Sequence, residues 1–244
     1  MKITNVYTAS ISQYYDQIVQ NLYYDYDGLG RDLASLIGKD QARLLEIGIG
    51  TGLVAERLLC HGFQVSGIDN SVEMLKIARF RLGPHAVLLQ NDIKDYRTKV
   101  QYDAIYSVMG PWYVTRGKPG QLRYLSYLRN TQENLDGLLN VRQMLRPGGL
   151  LILSIQDQHK NLPAQEISKR TFYSHQVTRK SRFIRKEYFV RKNGVEVAHQ
   201  QCIFTEYSEA EVQSYIDKLG FSTIQVSNCG KFVFTLMQSP IVDL

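Results

Sequence analysis

The stretch Leu44-Leu45-Glu46-Ile47-Gly48-Ile49-Gly50-Thr51-Gly52 decides the fold of this chain. A short apolar run, typical of a buried strand, is followed by three glycines at alternate positions. Glycine adopts backbone conformations closed to other residues and lets a ligand approach the main chain. A strand that ends in such a loop indicates a nucleotide-like ligand bound close to the backbone, and several ligand classes use this arrangement.

The order of residues after the strand separates these classes. A phosphate-binding loop of the GxxxxGK type requires a lysine followed by Ser or Thr, and no basic residue follows the glycines before Arg57. A dinucleotide fingerprint of the GxGxxG type is weakened rather than excluded. Counted from Gly48 its third position is Leu53, and counted from Gly50 it is Ala55, which some dinucleotide sites accept.

Glu46 favours a different ligand. It precedes the loop at the carboxyl end of the first strand, where open α/β sheets bind their ligands. A carboxylate repels a diphosphate and attracts a cationic ammonium. S-adenosylmethionine carries an ammonium and a sulfonium and has no phosphate, so it is the ligand that this charge favours.

The composition is that of one large domain. The chain has 244 residues, of which 44% are hydrophobic, enough for a sizeable core. Its apolar runs are shorter than the roughly 20 residues of a membrane helix. Its three cysteines are widely separated, which favours neither a disulfide framework nor a metal site. We therefore expect a cytoplasmic protein with reduced thiols, a monomer or homodimer without a membrane contact.

Short apolar runs alternate with helical patterns from Arg43 to Ile155, which predicts repeated βα units. We predict an α/β, Rossmann-like, doubly wound and mostly parallel seven-stranded sheet with an antiparallel C-terminal hairpin and an inserted β-hairpin cap. The single domain 1–244 divides into a helical lid (1–40), a cofactor-binding core (41–155), a cap (160–206) and a final helix with strands (207–244). Ser208 and Glu211 form a capping-box pattern before that helix.

Most of the chain resembles the class I S-adenosylmethionine-dependent methyltransferases of the small-molecule type. Their first motif, E/DxGxGxG, is similar to LLEIGIGTG, and further matches are VSGID, QNDI, YDAIYSVMGPWYV and MLRPGGLLIL. The resemblance implies that S-adenosylmethionine is the cofactor. It implies that Asp69, which lies 23 residues after Glu46, accepts hydrogen bonds from the ribose of the cofactor. It also implies that Asp92 contacts the adenine amino group. The cofactor residues that the resemblance implies are Glu46, Gly48, Gly50, Gly52, Asp69, Asn70, Met74, Asp92, Ile93, Ser107 and Val108.

Each of these residues also has an ordinary structural explanation. The glycines alone are compatible with a tight turn, Asp69 with the N-cap of the helix that begins near Val72, and Asp92 with the cap of its own loop. The ordered series of such residues at successive strand ends is what favours the cofactor.

The methyl acceptor is less well defined. The Asn/Asp-Pro-Pro-Tyr-like tetrapeptide of adenine and glutamine amide methyltransferases is replaced by Gly110-Pro-Trp-Tyr113, which disfavours those acceptors. We expect a small molecule methylated at nitrogen or oxygen, with nitrogen slightly favoured because the sequence shows no convincing base. Substrate contacts are predicted for Tyr24, Met109, Trp112 and Tyr113. Candidate catalytic residues are Tyr15 and His159; a core role for Trp112 and a surface-loop position for His159 remain open alternatives.

The positive charge is concentrated in one segment. Residues 169–192 hold nine Lys or Arg against one acid, whereas the whole chain has a net charge of +6. Arg179, Arg182, Arg185 and Arg191 are compatible with selection of an anionic substrate, with a solvated hairpin face, or with a nucleic acid. Besides a small-molecule and a nucleic-acid acceptor, a third hypothesis is that the chain binds S-adenosylmethionine as an enzyme or regulator that does not methylate.

Overall fold

The computed structural model describes residues 5–117, 121–157 and 159–238. Two sheets share one long strand. In the described part of the chain, the first sheet has seven strands: β1 (Arg43–Ile47), β2 (Gln64–Asp69), β3 (Ala86–Gln90), β4 (Tyr102–Ser107), β7 (Leu145–Gln156), β12 (Gln225–Val226) and β13 (Phe232–Leu236). The second sheet joins the end of β7 to β5 (Trp112–Arg116), β6 (Leu122–Ser126), β8 (Leu162–Ser168), β9 (Thr171–Lys180), β10 (Phe183–Lys192) and β11 (Val195–Ser208).

The helices are, in chain order, α1 (Ala9–Ser12), α2 (Tyr15–Leu22), α3 (Tyr26–Ile37), α4 (Leu53–Cys60), α5 (Val72–Leu82), α6 (Thr131–Met144) and α7 (Glu209–Lys218). A short 3-10 turn, Gly83–His85, precedes β3. None of the helices in the described ranges is long and apolar enough to cross a membrane.

The first sheet has the strand order β3-β2-β1-β4-β7-β13-β12, with β13 and β12 antiparallel at one edge. The other neighbours are parallel. Leu44 on β1 packs in a core with α3 and α4, whereas Leu45 on the same strand packs on the opposite face with α6. The predicted α/β class with a mostly parallel sheet covered on both faces is therefore confirmed. The strand order reverses between β1 and β4, which are parallel, and this opens a crevice at their carboxyl ends.

Local sequence explains most helix boundaries. The predicted capping box of α7 is present: the Ser208 hydroxyl accepts from the Glu211 N–H and the Glu211 carboxylate accepts from Ser208. Ser71, not Asp69, caps α5, because the Ser71 side chain accepts from the Met74 N–H at 3.3 Å. The capping explanation of Asp69 is thus wrong, and one of its carboxylate oxygens binds the loop that follows β1.

The cap is larger than a hairpin. The predicted pair of strands forms β10 and β11, joined at Asn193 and Gly194, and β8 and β9 extend it. β5 and β6 also belong to this sheet, and the sequence did not predict them. One face of the cap packs on α1 and α2 through a core that contains Ile11 and Ile18. The helix α3 packs instead on α4 and the first sheet, so the helices lying against the cap are α1 and α2 rather than all of residues 1–40.

Candidate functional site

A cavity of about 540 Å³ lies at the carboxyl ends of β1, β2, β3 and β4. Its volume is in the range of small-molecule sites. The predicted cofactor residues that line it are Gly48, Gly50, Asp69, Asn70, Met74, Asp92 and Ile93. Four strand ends thus contribute neighbouring walls, because parallel strands end at the same edge of a sheet. We call this space the cofactor cavity.

The three glycines of the first loop have different roles. All have positive φ, at 72° for Gly48, 55° for Gly50 and 81° for Gly52. A Cβ on Gly48 would lie 2.7 Å from Gly110 Cα, and one on Gly52 would lie 2.9 Å from Leu82 Cδ1. A Cβ on Gly50 would meet nothing within 4 Å. Gly48 and Gly52 therefore serve packing, whereas Gly50 presents bare backbone to the cavity.

Asp69 fixes the loop that follows β1. Its Oδ2 accepts from the Gly50 N–H at 2.8 Å and its Oδ1 from the Ser71 N–H at 2.8 Å. Burial raises the pKa of this carboxyl group above its ordinary value, although these backbone hydrogen bonds oppose the rise. A carboxylate has about four acceptor positions, so Asp69 retains capacity for ligand hydroxyls on its cavity side.

The loop after β3 brings two predicted residues to the opposite wall. Asp92 Oδ2 accepts from Lys94 Nζ at 2.8 Å, and Ile93 is buried at the cavity surface. Asn140 on α6 holds this loop through its Nδ2, which donates to the Ile93 carbonyl at 2.7 Å. Asp92 also accepts from the Lys94 N–H at 3.2 Å, so the loop-capping role is present beside any ligand role.

Glu46 does not line the cavity. It is 2% exposed and lies on the face of β1 that carries Leu44, where Tyr106 Oη donates to its Oε2 at 3.1 Å. Burial raises the pKa of this carboxyl well above its ordinary value, opposed by the hydrogen bonds from Tyr106 and the Ala55 N–H. Strand alternation explains the position, since the side chain of Glu46 points away from the face of Ile47, which does reach the cavity.

The wall contributed by the end of β4 lies later in the chain than expected. Ser107 and Val108 are buried outside the cavity lining, and Met109, Gly110 and Pro111 take that place. Met109 has a φ of 55°, a conformation that is uncommon and strained for a non-glycine residue. Such strain is concentrated at functional sites, and Met109 lines both this cavity and a smaller space beside it.

The segment from Tyr7 to Leu22 covers the cavity. Tyr7 and Tyr15 line it, and Ser71 Oγ donates to the Tyr7 carbonyl at 2.7 Å. Asp16 of α2 accepts from Thr51 Oγ1 at 2.6 Å and pairs with Arg81. Tyr24 lies elsewhere, with its ring 5.8 Å from that of Tyr26 and packed on the core around α3. A substrate contact of Tyr24 is therefore not supported by its position.

The contact between Thr51 and Asp16 gives a first prediction. Thr51→Val removes a buried hydrogen bond to a carboxylate, which is expected to weaken closure of α2 by about 1.5–3 kcal/mol. Amide hydrogen exchange across Tyr15–Leu22 should become correspondingly faster. Gln20→Ala, an exposed change on the same helix, is the control. Unchanged protection in Thr51→Val would mean that the hydroxyl does not hold the lid.

A smaller space of about 60 Å³ lies beside the cofactor cavity, and Tyr7, Tyr15, Met109 and Tyr127 line both. We call it the inner chamber. The other residues of its lining are Ile11, Ile18, Val19, Tyr23, Tyr113, Gln156, His159, Tyr173, Lys186, Tyr188 and Phe204. The predicted residues Tyr15, Met109, Tyr113 and His159 therefore meet around one space.

His159 is 9% exposed, so a surface-loop position is wrong for it. Its Nε2 lies 3.1 Å from Tyr113 Oη. Burial, and then the positive charge of Lys186, lower the pKa of His159 to about 2. A neutral imidazole with this pKa is a weak base, because general bases work best with a pKa near the operating pH.

Trp112 points away from both spaces. Its Nε1 donates to Asn134 Oδ1 at 2.7 Å, and its ring packs on Gly137 of α6. The core alternative is therefore the observed one, because neighbouring residues of β5 face opposite sides and Tyr113 takes the side of the inner chamber.

Four arginines of the basic segment lie beside acidic side chains. Arg179 lies 3.2 Å from Glu206, Arg182 2.6 Å from Glu211, and Arg191 3.6 Å from Glu196. Arg185 approaches Glu187 only to 4.0 Å. This arrangement favours the solvated hairpin face over an anion-binding stripe.

Lys186 lines the inner chamber, and the sequence analysis did not predict it as a site residue. It is 7% exposed and reaches the inner chamber between Ile184 and Tyr188, two other buried residues of β10. A cation at an inward position of an alternating strand is the signal that identifies it.

Comparison with known proteins places this geometry in context. Residues 44–126 match a family described as a methyltransferase domain. A dTDP-3-amino-3,4,6-trideoxy-alpha-D-glucopyranose N,N-dimethyltransferase of Streptomyces venezuelae is 26% identical over 61% of this chain and 58% of its own length. A dTDP-3-amino-3,6-dideoxy-alpha-D-glucopyranose N,N-dimethyltransferase of Streptomyces fradiae is 33% identical over 41% of this chain and 40% of its own length. The chain thus spans less than two thirds of these curated relatives.

A solved structure shares the fold over nearly the whole chain. CalS10, an amino pentose methyltransferase from Micromonospora echinaspora with S-adenosylmethionine bound, has a TM-score of 0.71 and 20% identity. The match covers 97% of this chain and 100% of that one. At this identity the likeness shows the shared fold.

Proposed function

We propose, for a chain that belongs to the class I S-adenosylmethionine-dependent methyltransferases, that it methylates a nitrogen atom of a small molecule. The observation that carries the proposal is that two neighbouring spaces share a wall that includes Met109: a cofactor cavity at the strand ends and an inner chamber beside it. A cofactor held in the first space would face an acceptor held in the second. The cofactor of the family is S-adenosylmethionine, which supplies a methyl group on a positively charged sulfur when bound.

The residues of the cofactor cavity fit that cofactor. Gly50 presents open backbone, Asp69 offers carboxylate oxygens for a ribose diol, and Asp92 and Ile93 offer a polar and an apolar contact for an adenine. Glu46 contributes a negative charge behind the loop when it is ionised. Asn70 and Met74 are proposed as further contacts, because both line the same cavity.

Nitrogen is favoured over oxygen by the weakness of the available base. A hydroxyl acceptor usually requires a base within hydrogen-bond reach, whereas an amine needs only to arrive neutral. His159 is a weak base and its Nε2 lies beside the Tyr113 hydroxyl. The names of the two Streptomyces relatives also describe N,N-dimethylation, of amino sugars. An amino sugar or a similar polar amine is the acceptor class that we propose.

The chain contributes to the reaction by positioning and by excluding water. In such a displacement, the nitrogen–carbon bond would form as the carbon–sulfur bond breaks, with the electron pair of that bond staying on sulfur. The new ammonium then loses a proton to solvent. Tyr7, Tyr15 and Met109 line both spaces and would surround the reacting atoms. Such positioning can supply roughly 7–11 kcal/mol of barrier reduction.

The test is product formation with amino sugars and simple amines, followed by mass spectrometry of the methylated acceptor and of S-adenosylhomocysteine. We expect a mass increase of one or two methyl groups on nitrogen. Methylation of hydroxyl groups alone would contradict the assignment to nitrogen. Cofactor binding without turnover on any acceptor would favour the non-methylating alternative.

Asp69 gives a second prediction. Asp69→Ala is expected to weaken binding of S-adenosylhomocysteine by about 1.5–3 kcal/mol, because charged hydrogen bonds to the ribose are lost. This corresponds to roughly ten- to hundredfold in Kd, measured by calorimetry. Glu73→Ala, in the first turn of α5, is the matched control. An unchanged Kd for Asp69→Ala would remove the ribose role.

The remaining expectations stay predictions. A nucleic-acid acceptor requires binding to RNA that weakens steeply with salt, and indifference to RNA at low salt would remove it. The paired arginines of β9 and β10 offer this rival little support. A cytoplasmic location and a monomeric or dimeric state likewise remain to be measured.

A further inference from the structure

The inner chamber contains three polar groups that no described residue satisfies. Gln156 Nε2 and His159 Nδ1 are buried without a hydrogen-bond partner. Lys186 Nζ forms neither an ion pair nor a hydrogen bond with a side chain of the described residues. It lies 5.5 Å from the ring centroid of Tyr23 and 5.1 Å from that of Tyr188. Buried polar groups without partners are rare and costly, so three around one space require an explanation.

Two of these groups are hydrogen-bond donors by their chemistry, Lys186 Nζ and the Gln156 amide nitrogen. The third, His159 Nδ1, is a donor in the tautomer whose Nε2 accepts from the Tyr113 hydroxyl, because the neutral ring then carries its proton on Nδ1. The His175 ring is already engaged, because its Nε2 donates to the Lys160 carbonyl at 2.7 Å and its Nδ1 lies 3.1 Å from Tyr173 Oη.

Nothing in the described lining supplies the opposite charge. The residues around the chamber include no Asp or Glu. The ionisable groups that influence Lys186 or adjoin it are Tyr23, Tyr188, Cys202, His159 and His175, which are neutral at pH 7. Burial lowers the pKa of Lys186 to about 8, which is the expected response of an ammonium without a counterion.

We propose that the inner chamber binds an oxyanion of the methyl acceptor, a carboxylate or a phosphoryl group, held by Lys186, Gln156 and His159. The inference rests on the proposed function, since it names a feature of the acceptor in that same site. An oxyanion offers several acceptor atoms to donors that line one space and supplies the charge that Lys186 lacks. The chamber volume of about 60 Å³ suits one such group. The amine of the same molecule then lies toward Met109 and the cofactor cavity.

The binding test uses protein labelled with 15N-lysine and loaded with S-adenosylhomocysteine. Sodium acetate, inorganic phosphate and neutral acetamide are titrated separately at constant ionic strength, and the Lys186 Nζ resonance is followed by NMR. Lys186→Met assigns the resonance. We expect saturable shifts with acetate or phosphate and a rise of the Lys186 pKa toward its ordinary value. The tighter of the two anions identifies the acceptor as a carboxylate or a phosphate ester.

Two variants check the donors. Gln156→Leu is expected to weaken binding of the anion by roughly tenfold. Lys192→Met changes an exposed lysine on the same strand as Lys186 and is expected to leave the affinity for the anion unchanged. The Kd of S-adenosylhomocysteine stays constant in both, which shows that the fold is intact. Equal responses to acetate, phosphate and acetamide, or no response of Lys186 to either anion, overturn the proposal.

Turnover separates this inference from the function on which it rests. Matched amines with and without a carboxylate or phosphate are compared in the wild type and in Lys186→Met. Loss of preference for the anionic member only in Lys186→Met supports the inference. Equal turnover of both members by the wild type refutes the inference and leaves N-methylation standing. Anion binding at Lys186 without turnover of any amine refutes the proposed function and leaves the anion site standing.

Discussion

Gly110→Ala is expected to destabilise the protein by about 3 kcal/mol or more and to abolish binding of the cofactor. A Cβ at this position would lie 2.2 Å from the Ile47 carbonyl oxygen and 2.6 Å from Ser107 Oγ. The first of these is backbone of a central strand, so the clash is relieved only by moving β1 or the end of β4. Overpacking of this kind costs about 1–3 kcal/mol even where side chains give way, and here the obstacle is main chain.

The measurement is chemical unfolding together with calorimetry of S-adenosylhomocysteine. Gly117→Ala is the matched control, because its Cβ would be 3.3 Å from the flexible Arg123 Cγ. We expect that variant to remain within about 0.5 kcal/mol of the wild type, as surface changes usually do. If Gly110→Ala is as stable as Gly117→Ala, the loops after β1 and β4 are not packed as closely as described.

Glu46→Gln is expected to stabilise the protein without bound cofactor at neutral pH. The same change is expected to weaken binding of the cofactor. Burial raises the pKa of Glu46 in the folded state above its unfolded value of about 4.3. The carboxyl is therefore best tolerated while protonated. Its contribution to stability is full below the unfolded pKa and declines as pH rises toward the folded pKa, by about 1.4 kcal/mol per pH unit. Glutamine keeps an acceptor for the Tyr106 hydroxyl and does not titrate.

The check is the free energy of unfolding of both proteins between pH 4 and pH 8. The difference between them should grow with pH in favour of Glu46→Gln, up to the folded pKa of Glu46. Saturating S-adenosylhomocysteine should reduce that difference, since its ammonium favours the ionised carboxyl. Parallel pH profiles would show that Glu46 is not the titrating group, and an equal cofactor Kd in both proteins would refute its electrostatic role.

The sequence was sufficient for features that depend on neighbouring residues. The alternation of apolar runs and helical patterns predicted the parallel sheet, and Ser208 with Glu211 predicted the start of α7. The ordered acids at strand ends predicted that Gly50, Asp69 and Asp92 would meet, because strands that run parallel end at one edge. Each of these conclusions depends only on the periodicity of apolar residues, on a helix-capping motif or on strand direction. All three are determined by residues that are close in sequence.

Tertiary structure decided everything that depends on which side of a strand a residue faces and on what lies opposite. Glu46 and Ile47 are adjacent, yet only Ile47 reaches the cofactor cavity. Trp112 and Tyr113 are adjacent, yet only Tyr113 reaches the inner chamber. Lys186 stands within a basic segment whose arginines face acids in solvent, and only the curl of the second sheet over α1 and α2 buries it among tyrosines. The chain sequence determines the alternation of faces, whereas the packing of the two sheets and the lid determines what each face meets.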